Sequence, residues 1–354
     1  MSAPVALVTG ALGTVGYNMV RHLAATGEWR VISVSRRSPA EEHGDDGGVE
    51  HVAVDLLDRR AAEAALGRLT GVTHVFFAAK TEAETPALEA ERNLALLANT
   101  IEALEPAAPH LRHVSIVHGT KWYGCHLGPY KTPAREDDPR HLPPNFYYDQ
   151  YDYLSRRQAG KAWTWSSLRP HTVWGWAPSA RNNIINVIAA HATICRHLRL
   201  PLRFPGPPDA YRTVRQATDV GLLTRAMVWS STSEACAGHA FNVTNGDYFR
   251  WDGLWPRIAD LFEMPVGPSQ QISLGKFMAD KGALWAELAA RHRLRVRNLS
   301  DFVSWEYGDF IFGTRWDDMS STVKIRAFGF GEAIDSEERC LELLREYRER
   351  RLIP

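Results

Sequence analysis

The apolar positions of the first half of the chain fall into short runs separated by stretches with a helical repeat. Val5-Ala6-Leu7-Val8, Arg30–Ser35, residues 48–54, Thr73–Ala78 and His113–Val117 read as five strands. Helical patterns lie between them at about 17–23, 59–68 and 86–105, the last unusually long. A helix at about 147–160 and a sixth strand at Trp163–Leu168 continue the alternation. This pattern predicts an α/β fold: a Rossmann-type doubly wound parallel sheet that binds its ligand at the carboxyl ends of the strands. The stretch 124–145 is rich in Pro, Gly and charge and reads as a long loop over that edge. After Arg169-Pro170 the alternation breaks down. Residues 176–211 and 247–354 are expected to form a smaller, mostly helical substrate-binding cap, and 1–175 with 212–246 the nucleotide-binding part. Phe241-Asn242-Val243 is expected to return to the main sheet, and there is no internal repeat.

The first strand runs straight into Thr9-Gly10-Ala11-Leu12-Gly13-Thr14-Val15-Gly16 and then a helix. Strand, glycine turn and helix together are the context of a dinucleotide-binding fingerprint. Gly10 suits the tight turn, Gly13 the approach of a pyrophosphate and Gly16 close helix–strand packing. Leu12, Thr14 and Val15 complete the phosphate-facing turn, where the helix N-terminus offers N–H groups. At the end of strand two, where an NAD-selective site places a carboxylate, stand Arg36 and Arg37, which suit the 2′-phosphate of NADPH. Asp55 and Leu56 follow strand three and are placed near the adenine, with a plain helix cap as the competing reading for Asp55. Ala78, at the end of strand four, faces the same cleft.

Composition adds limits. The chain has 354 residues, enough for two domains, with 45% apolar and 23% charged residues. Basic and acidic residues balance at 41 each, so no net field draws it to nucleic acid or an anionic membrane. No run approaches the ~18 apolar residues of a membrane span. Met1-Ser2-Ala3-Pro4 leads directly into a strand, so we expect no secretory or transit peptide and a cytoplasmic protein. Cys125, Cys195, Cys236 and Cys340 lie far apart without metal-ligand spacing and are expected as reduced thiols.

Reduction of a carbonyl, or of an alkene conjugated to one, needs an acid beside the developing oxyanion. In this fold that acid is usually a Tyr helped by a Lys. The common Tyr-x-x-x-Lys is absent: Tyr147, Tyr148, Tyr151 and Tyr153 are followed four residues later by Tyr151, Asp152, Ser155 and Arg157. Two other segments fill the gap. Lys121 stands just past strand five in Gly119-Thr120-Lys121-Trp122-Tyr123, and Asn145-Phe146-Tyr147-Tyr148-Asp149 opens the next helix. With the glycine turn, the Arg pair, Thr73-His74-Val75-Phe76, Arg169-Pro170, Phe241–Asp247 and the closing Ile353-Pro354, these blocks make nearly the whole chain resemble a known family. It is similar to the progesterone 5β-reductase and iridoid synthase group of atypical short-chain dehydrogenases.

The resemblance implies an NADPH-dependent oxidoreductase that adds hydride to the C=C of α,β-unsaturated carbonyl compounds. It implies Tyr147 and Lys121 as catalytic groups that also touch the cofactor, and Pro170, Thr172 and Val173 as backbone partners of the nicotinamide carboxamide. It also implies a small-molecule enone or enal substrate and, by fold analogy, a homodimer through the helices at 86–105 and 147–160. The chain departs from the family at Tyr151-Asp152 and in an insertion at Cys125-His126-Leu127, both near the substrate mouth. Tyr130, Tyr148 and Trp174 are the expected pocket walls; Trp176 and Phe312 fit a pocket or plain core equally. Direct carbonyl reduction needs the same Tyr and Lys, and a non-catalytic NADP sensor would need neither. A nucleotide-sugar epimerase is disfavoured by the missing Tyr-x-x-x-Lys. Lys80 (phosphate, ribose or loop cap), His118 and His171 (core or site) and Asn93 (solvent face or backbone clamp) stay open.

Overall fold

The computed structural model describes residues 3–38, 48–178 and 180–354. Six strands come first: β1 (Val5–Thr9), β2 (Arg30–Ser35), β3 (Glu50–Ala53), β4 (His74–Phe77), β5 (His113–Val117) and β6 (Thr164–Pro170). They alternate with helices α1 (Thr14–Thr26), α2 (Arg59–Leu66), α3 (Pro86–Leu104) and α4 (Phe146–Gln158). Beyond them lie β7 (Thr172–Trp174), α5 (Ile184–His197), α6 (Pro208–Arg212), β8 (Ala217–Asp219), α7 (Val220–Thr232) and β9 (Ala240–Val243). The chain ends with α8 (Trp251–Leu261), α9 (Leu274–Phe277), α10 (Gly282–His292), α11 (Leu299–Phe302), α12 (Trp305–Phe312), α13 (Val323–Ala327) and α14 (Ser336–Glu349). Seven strands form one parallel sheet in the order β3-β2-β1-β4-β5-β6-β9, as the alternation predicts. Strand order reverses between β1 and β4, and a crevice opens there at the carboxyl ends.

Local chemistry fixes the helix starts. Asp58, Thr85 and Asn145 each accept a hydrogen bond from a first-turn N–H of α2, α3 and α4, and Pro86 occupies the first turn of α3, where it loses no intrahelical bond. One sheet face packs Leu7, Phe77, Ile116 and Trp165 against Leu97, Leu104 and Leu154 of α3 and α4. The other packs Val8, Phe76 and Phe241 against Met19 and Leu23 of α1 and Leu222 and Met227 of α7. A third cluster, around Phe204, Trp251, Trp255, Phe312 and Tyr347, is the core of the mostly helical cap.

Two features differ from the sequence expectation. β7 and β8 pair as a separate two-stranded parallel ribbon, each only three residues long and too short to leave a pattern. The segment around α13 does not stay with the cap: Ile325 and Phe330 pack on the α1–α7 face of the sheet. Five helical residues carry too little periodicity to announce that return. Among the described residues no helix is long and apolar enough to cross a membrane, no metal-ligand cluster is present, and all four cysteines are buried and free.

The cap is tied to the nucleotide half at the end of β8. Asp219 Oδ1 accepts from Gly221 and Leu222 N–H and so caps α7, while its Oδ2 accepts from Arg339 Nε of α14 at 2.7 Å. Asp219 is 4% exposed. Asp219→Ala removes the cap and one partner of a half-buried guanidinium. It is expected to cost about 2–3 kcal/mol, read as a lowered denaturation midpoint with an unchanged denaturant slope.

Candidate functional site

The three glycines of the first turn have different reasons to be glycine. Gly10 has φ +66, and a Cβ there would lie 2.6 Å from Ala78 O. A Cβ on Gly16 would meet Gly10 O at 2.2 Å. Those two are demanded by packing. A Cβ on Gly13 would find only Gly10 O, at 3.4 Å, so its space lies open above the turn. Gly13 is the N-cap residue of α1 and no side chain caps that helix. Its first-turn N–H groups, those of Thr14 and Val15 among them, therefore have no intrahelical acceptor and face the crevice with the positive end of the helix dipole. This cradle fits a pyrophosphate. Thr9 Oγ1 accepts from Ala78 and Ala79 N–H at 3.2 and 3.3 Å and fastens β1 to β4 where the crevice opens.

The remaining cofactor candidates lie around that cradle. Ala11 N–H donates to Val34 O at 3.2 Å, so Leu12 and its neighbours adjoin the end of β2. Arg36 and Arg37 follow there and are exposed, with Ser35 Oγ donating to Arg37 O at 2.6 Å. Asp55 folds its own turn by accepting from Leu57 N–H at 3.0 Å, whereas Asp58 caps α2. Leu56 is buried beneath. Pro170 ends β6, and Thr172 and Val173 open β7; His171 N–H between them donates to Thr218 Oγ1 at 3.0 Å.

Tyr147 and Lys121 come from separate segments joined by one side chain. Asn145 Oδ1 accepts from Tyr147 N–H at 3.1 Å, and its Nδ2 donates to Lys121 O at 2.9 Å. One Asn thus caps α4 and holds the 3-10 turn Thr120–Tyr123 that follows β5. The Tyr147 hydroxyl lies against Gly119, where a Cβ would stand 2.9 Å from Oη. Burial pushes the Tyr147 phenol above its ordinary value, with Lys80 and the Gly119 backbone pulling the other way, so it is protonated at neutral pH. Burial first, and then the like charge of Lys80, pull the Lys121 ammonium below the ordinary lysine value, while Glu89 and Glu82 support its charge. Among the described residues no hydrogen bond joins the two groups.

The open candidates resolve as follows. His118 is fully buried, with its ring 5.2 Å from that of Tyr147, and burial holds it neutral; it is packing beneath the phenol. His171 is buried and bonded to Ser320 Oγ at 2.8 Å. Asn93 is no solvent-face residue: it is 0% exposed and clamps Thr81 through both backbone atoms, at 2.9 and 2.7 Å. Of the expected pocket walls, Tyr130 packs in the same apolar cluster as Tyr147 and donates to Asp318 Oδ1 at 2.6 Å. Tyr148 lies behind Tyr147, with its hydroxyl used by Trp122 O and His141 N–H. Trp174 is not a pocket wall. It is 1% exposed and packs on Phe249 in the cap core, because the β7–β8 ribbon turns it inward. Phe312 joins the same core, and Trp176 packs edge-on against Tyr17.

Two groups near the phenol left no signal in the sequence. Tyr307 of α12 is half-buried and lies within electrostatic reach of Tyr147, Asp318 and Cys125. Asp318 is a buried carboxylate beside Arg215 at 3.4 Å and His171 at 3.7 Å. Burial alone would raise it, but His171, Arg215 and Tyr130 outweigh that and hold it below the usual carboxylate range. Burial pushes the Cys125 thiol up to about 12, which keeps it protonated.

Residues 51–318 match the PRISE-like Rossmann-fold domain family. An (S)-8-oxocitronellyl enol synthase of Nepeta cataria is 32% identical over 94% of this chain and 89% of its own length. A 3-oxo-Delta(4,5)-steroid 5-beta-reductase of Arabidopsis thaliana is 31% identical over 99% of this chain and 93% of its own. A short chain dehydrogenase of Penicillium aethiopicum is 32% identical over 99% of both chains. Among solved structures, the UDP-glucose 4-epimerase of Thermotoga maritima superposes with a TM-score of 0.69 at 16% identity, over 98% of this chain and 99% of that one. A short-chain dehydrogenase/reductase superfamily protein of Agrobacterium tumefaciens, solved with bound NAD, has a TM-score of 0.67 at 18% identity, over 98% of each chain. These two likenesses show the shared fold.

The glycine geometry yields a paired prediction. Gly13→Ala should fold with a near wild-type Tm and lose about tenfold or more in dinucleotide affinity, because its methyl enters the phosphate cradle. Gly16→Ala should lower Tm as well, because its methyl overlaps Gly10 O. Thermal melts with and without cofactor separate the two.

Proposed function

Because the chain belongs to the PRISE-like Rossmann-fold family, we propose that it is an NADPH-dependent reductase of α,β-unsaturated ketones and aldehydes, acting on the C=C bond. The observation that carries this reading is the half-buried, protonated Tyr147 at the corner of β5 and α4. Lys121 stands on the adjoining turn, in the positions the Tyr-x-x-x-Lys helix does not supply. Relatives whose names denote an oxocitronellyl enol synthase and a 3-oxo-steroid 5-beta-reductase support the same substrate class: a carbonyl conjugated to an alkene. A cytoplasmic homodimer belongs to this reading, with α3 and α4 as the contact, and sedimentation at micromolar protein tests it.

Thr14 and Val15 N–H, with Gly13 in the turn between β1 and α1, would hold the pyrophosphate. Arg36 and Arg37 would take the 2′-phosphate, Asp55 and Leu56 would adjoin the adenine, and Ala78 with the backbone of Pro170–Val173 would border the nicotinamide end. When bound, NADPH supplies a hydride to the carbon β to the substrate carbonyl. Tyr147 then donates a hydrogen bond to the carbonyl oxygen as it becomes enolate-like. A phenol that keeps its proton at neutral pH is matched to that role, since it meets the growing charge as a donor. Lys121 adds positive potential at the same oxygen, and burial strengthens it by excluding water. Neither group selects the carbon that receives hydride; substrate placement does. The Cys125 thiol near this corner is held protonated, which protects it from addition to an enone.

Four outcomes test the reading. Incubation with an enone and NADPH should give the saturated ketone; an allylic alcohol as the sole product would instead assign carbonyl reduction. Tyr147→Phe should lower kcat by roughly 10²–10³-fold with NADPH affinity unchanged, and unchanged turnover would remove Tyr147 from the mechanism. Both working groups act protonated, and Lys121 lies below the ordinary lysine value while Tyr147 lies above the ordinary tyrosine value. The profile of kcat/KM should therefore be flat through neutral pH and fall on the alkaline side. Finally, Arg36→Ala with Arg37→Ala should weaken NADPH binding by roughly 10–100-fold and leave NADH binding nearly as it was.

A further inference from the structure

Lys80 was left open by the sequence, and the mechanism above does not use it. It is the third residue past the end of β4, whose neighbours in the sheet are β1 and β5. It therefore leaves the sheet between the glycine turn and the Lys121 turn. Its loop is held rigidly. Asn93 of α3 accepts from Thr81 N–H and donates to Thr81 O and to Glu89 O at 2.7 Å each, while Gln150 of α4 donates to Asn93 O at 2.8 Å. Buried Asn93 thus couples the Lys80 loop to α3 through its side-chain amide, and to the helix that carries Tyr147 through its backbone carbonyl. The ammonium is directed as well: Lys80 Nζ lies 3.5 Å from Glu89 Oε1 and 5.9 Å from the ring centroid of Phe146. The Phe146 ring in turn packs 4.3 Å from that of Tyr147.

We propose that Lys80 is a second ammonium of the site, a positioning residue fixed by the Asn93 clamp that raises the positive potential at Tyr147 and Lys121 and so strengthens their hold on a substrate oxyanion. This rests on the reductase reading above. The charged and titratable groups that face Tyr147 and Lys121 are Lys80, Glu82, Glu89, Cys125, His126, Tyr307 and His118, the last held neutral by burial. Burial holds His126 neutral at pH 7, at about 4, and burial keeps the Cys125 thiol and the Tyr307 phenol protonated. The remaining charges are one ammonium and two carboxylates. Lys80 is the cation that most favours the phenolate of Tyr147, and it is also the like charge that most disfavours the ammonium of Lys121. Loss of its charge raises both groups, because Tyr147 loses a counter-charge and Lys121 a repulsion. Loss of the Glu89 charge lowers Lys121, which loses a supporting carboxylate.

Two readouts test this in the full-length protein. The first is competitive acetic anhydride labelling of Lys121, followed by peptide mass spectrometry across pH, which needs no turnover. Lys80→Met should move the Lys121 titration up by roughly half a pH unit, the size of a single charge acting across a partly wet cleft. Glu89→Gln should move it down, and Lys80→Arg should keep it at the wild-type position. The second is the pH profile of enone reduction. In Lys80→Met its alkaline limb should shift upward with the labelling, and kcat at pH 7 should fall several-fold without a matching rise in KM. If the Lys121 titration stays in place in both Lys80→Met and Glu89→Gln, the Lys80 assignment is overturned, whatever the wild type reduces. If the titrations shift as stated but no enone is consumed, the electrostatic assignment stands and the reductase reading is the part that fails.

Discussion

The site depends on one close approach: the Tyr147 hydroxyl rests on the backbone of Gly119, where any side chain would stand 2.9 Å from its oxygen. That contact brings the first turn of α4 down onto the carboxyl end of β5. Asn145 then fixes the approach from both sides, capping α4 and holding the Lys121 carbonyl. A desolvated phenol meets a cost only if it ionises, so the same packing that secures the contact also keeps the proton on Tyr147. Geometry and protonation state follow from a single packing constraint.

This arrangement differs from that of a Tyr-x-x-x-Lys helix. A Tyr-x-x-x-Lys helix delivers both groups from one face, at a spacing set by helix geometry. Here the lysine comes from the turn after β5 and the tyrosine from the start of α4. Their spacing is therefore set by loop packing, which Asn145 and the hydrophobic cluster of Trp122, Tyr123, Tyr148 and Ala134 hold in place. The fold likeness at 16% identity says nothing of this, because the sheet and its crevice are common to both arrangements. The long loop 124–145 joins the same corner: Tyr130 reaches Asp318 at 2.6 Å, and the Glu136 carboxylate accepts from Asn242 N–H at 2.8 Å.

The parallel sheet was legible because buried central strands such as His74–Phe77 show continuous apolar runs, and because helix starts carry their caps in the sequence. Gly10, Gly13 and Gly16 were legible as a set, but their distinct roles were not, since only the neighbours of each absent Cβ reveal them. The β7–β8 ribbon and the return of α13 to the sheet were illegible because three strand residues and five helical residues span less than two periods, too few to show a repeat. Trp174 was misread because an aromatic next to the cofactor segment in sequence is turned into the cap core by a strand pairing with no local signature. Asn93 had even odds from sequence, and its burial decides for the clamp. Tyr307 and Asp318 reach the site only through the packing of a helical cap, which no short-range pattern encodes.

The central claim is that a neutral phenol and an ammonium, delivered from separate segments, converge on one substrate oxygen above the nicotinamide. A crystal structure of the complex with NADP⁺ and a non-reducible ketone tests it most directly. The account predicts the ketone oxygen within about 2.5–3.0 Å of Tyr147 Oη, with the Lys121 ammonium turned toward the same oxygen. A ligand oxygen bound elsewhere, with Tyr147 still seated on Gly119 and Lys121 directed to solvent, would contradict it.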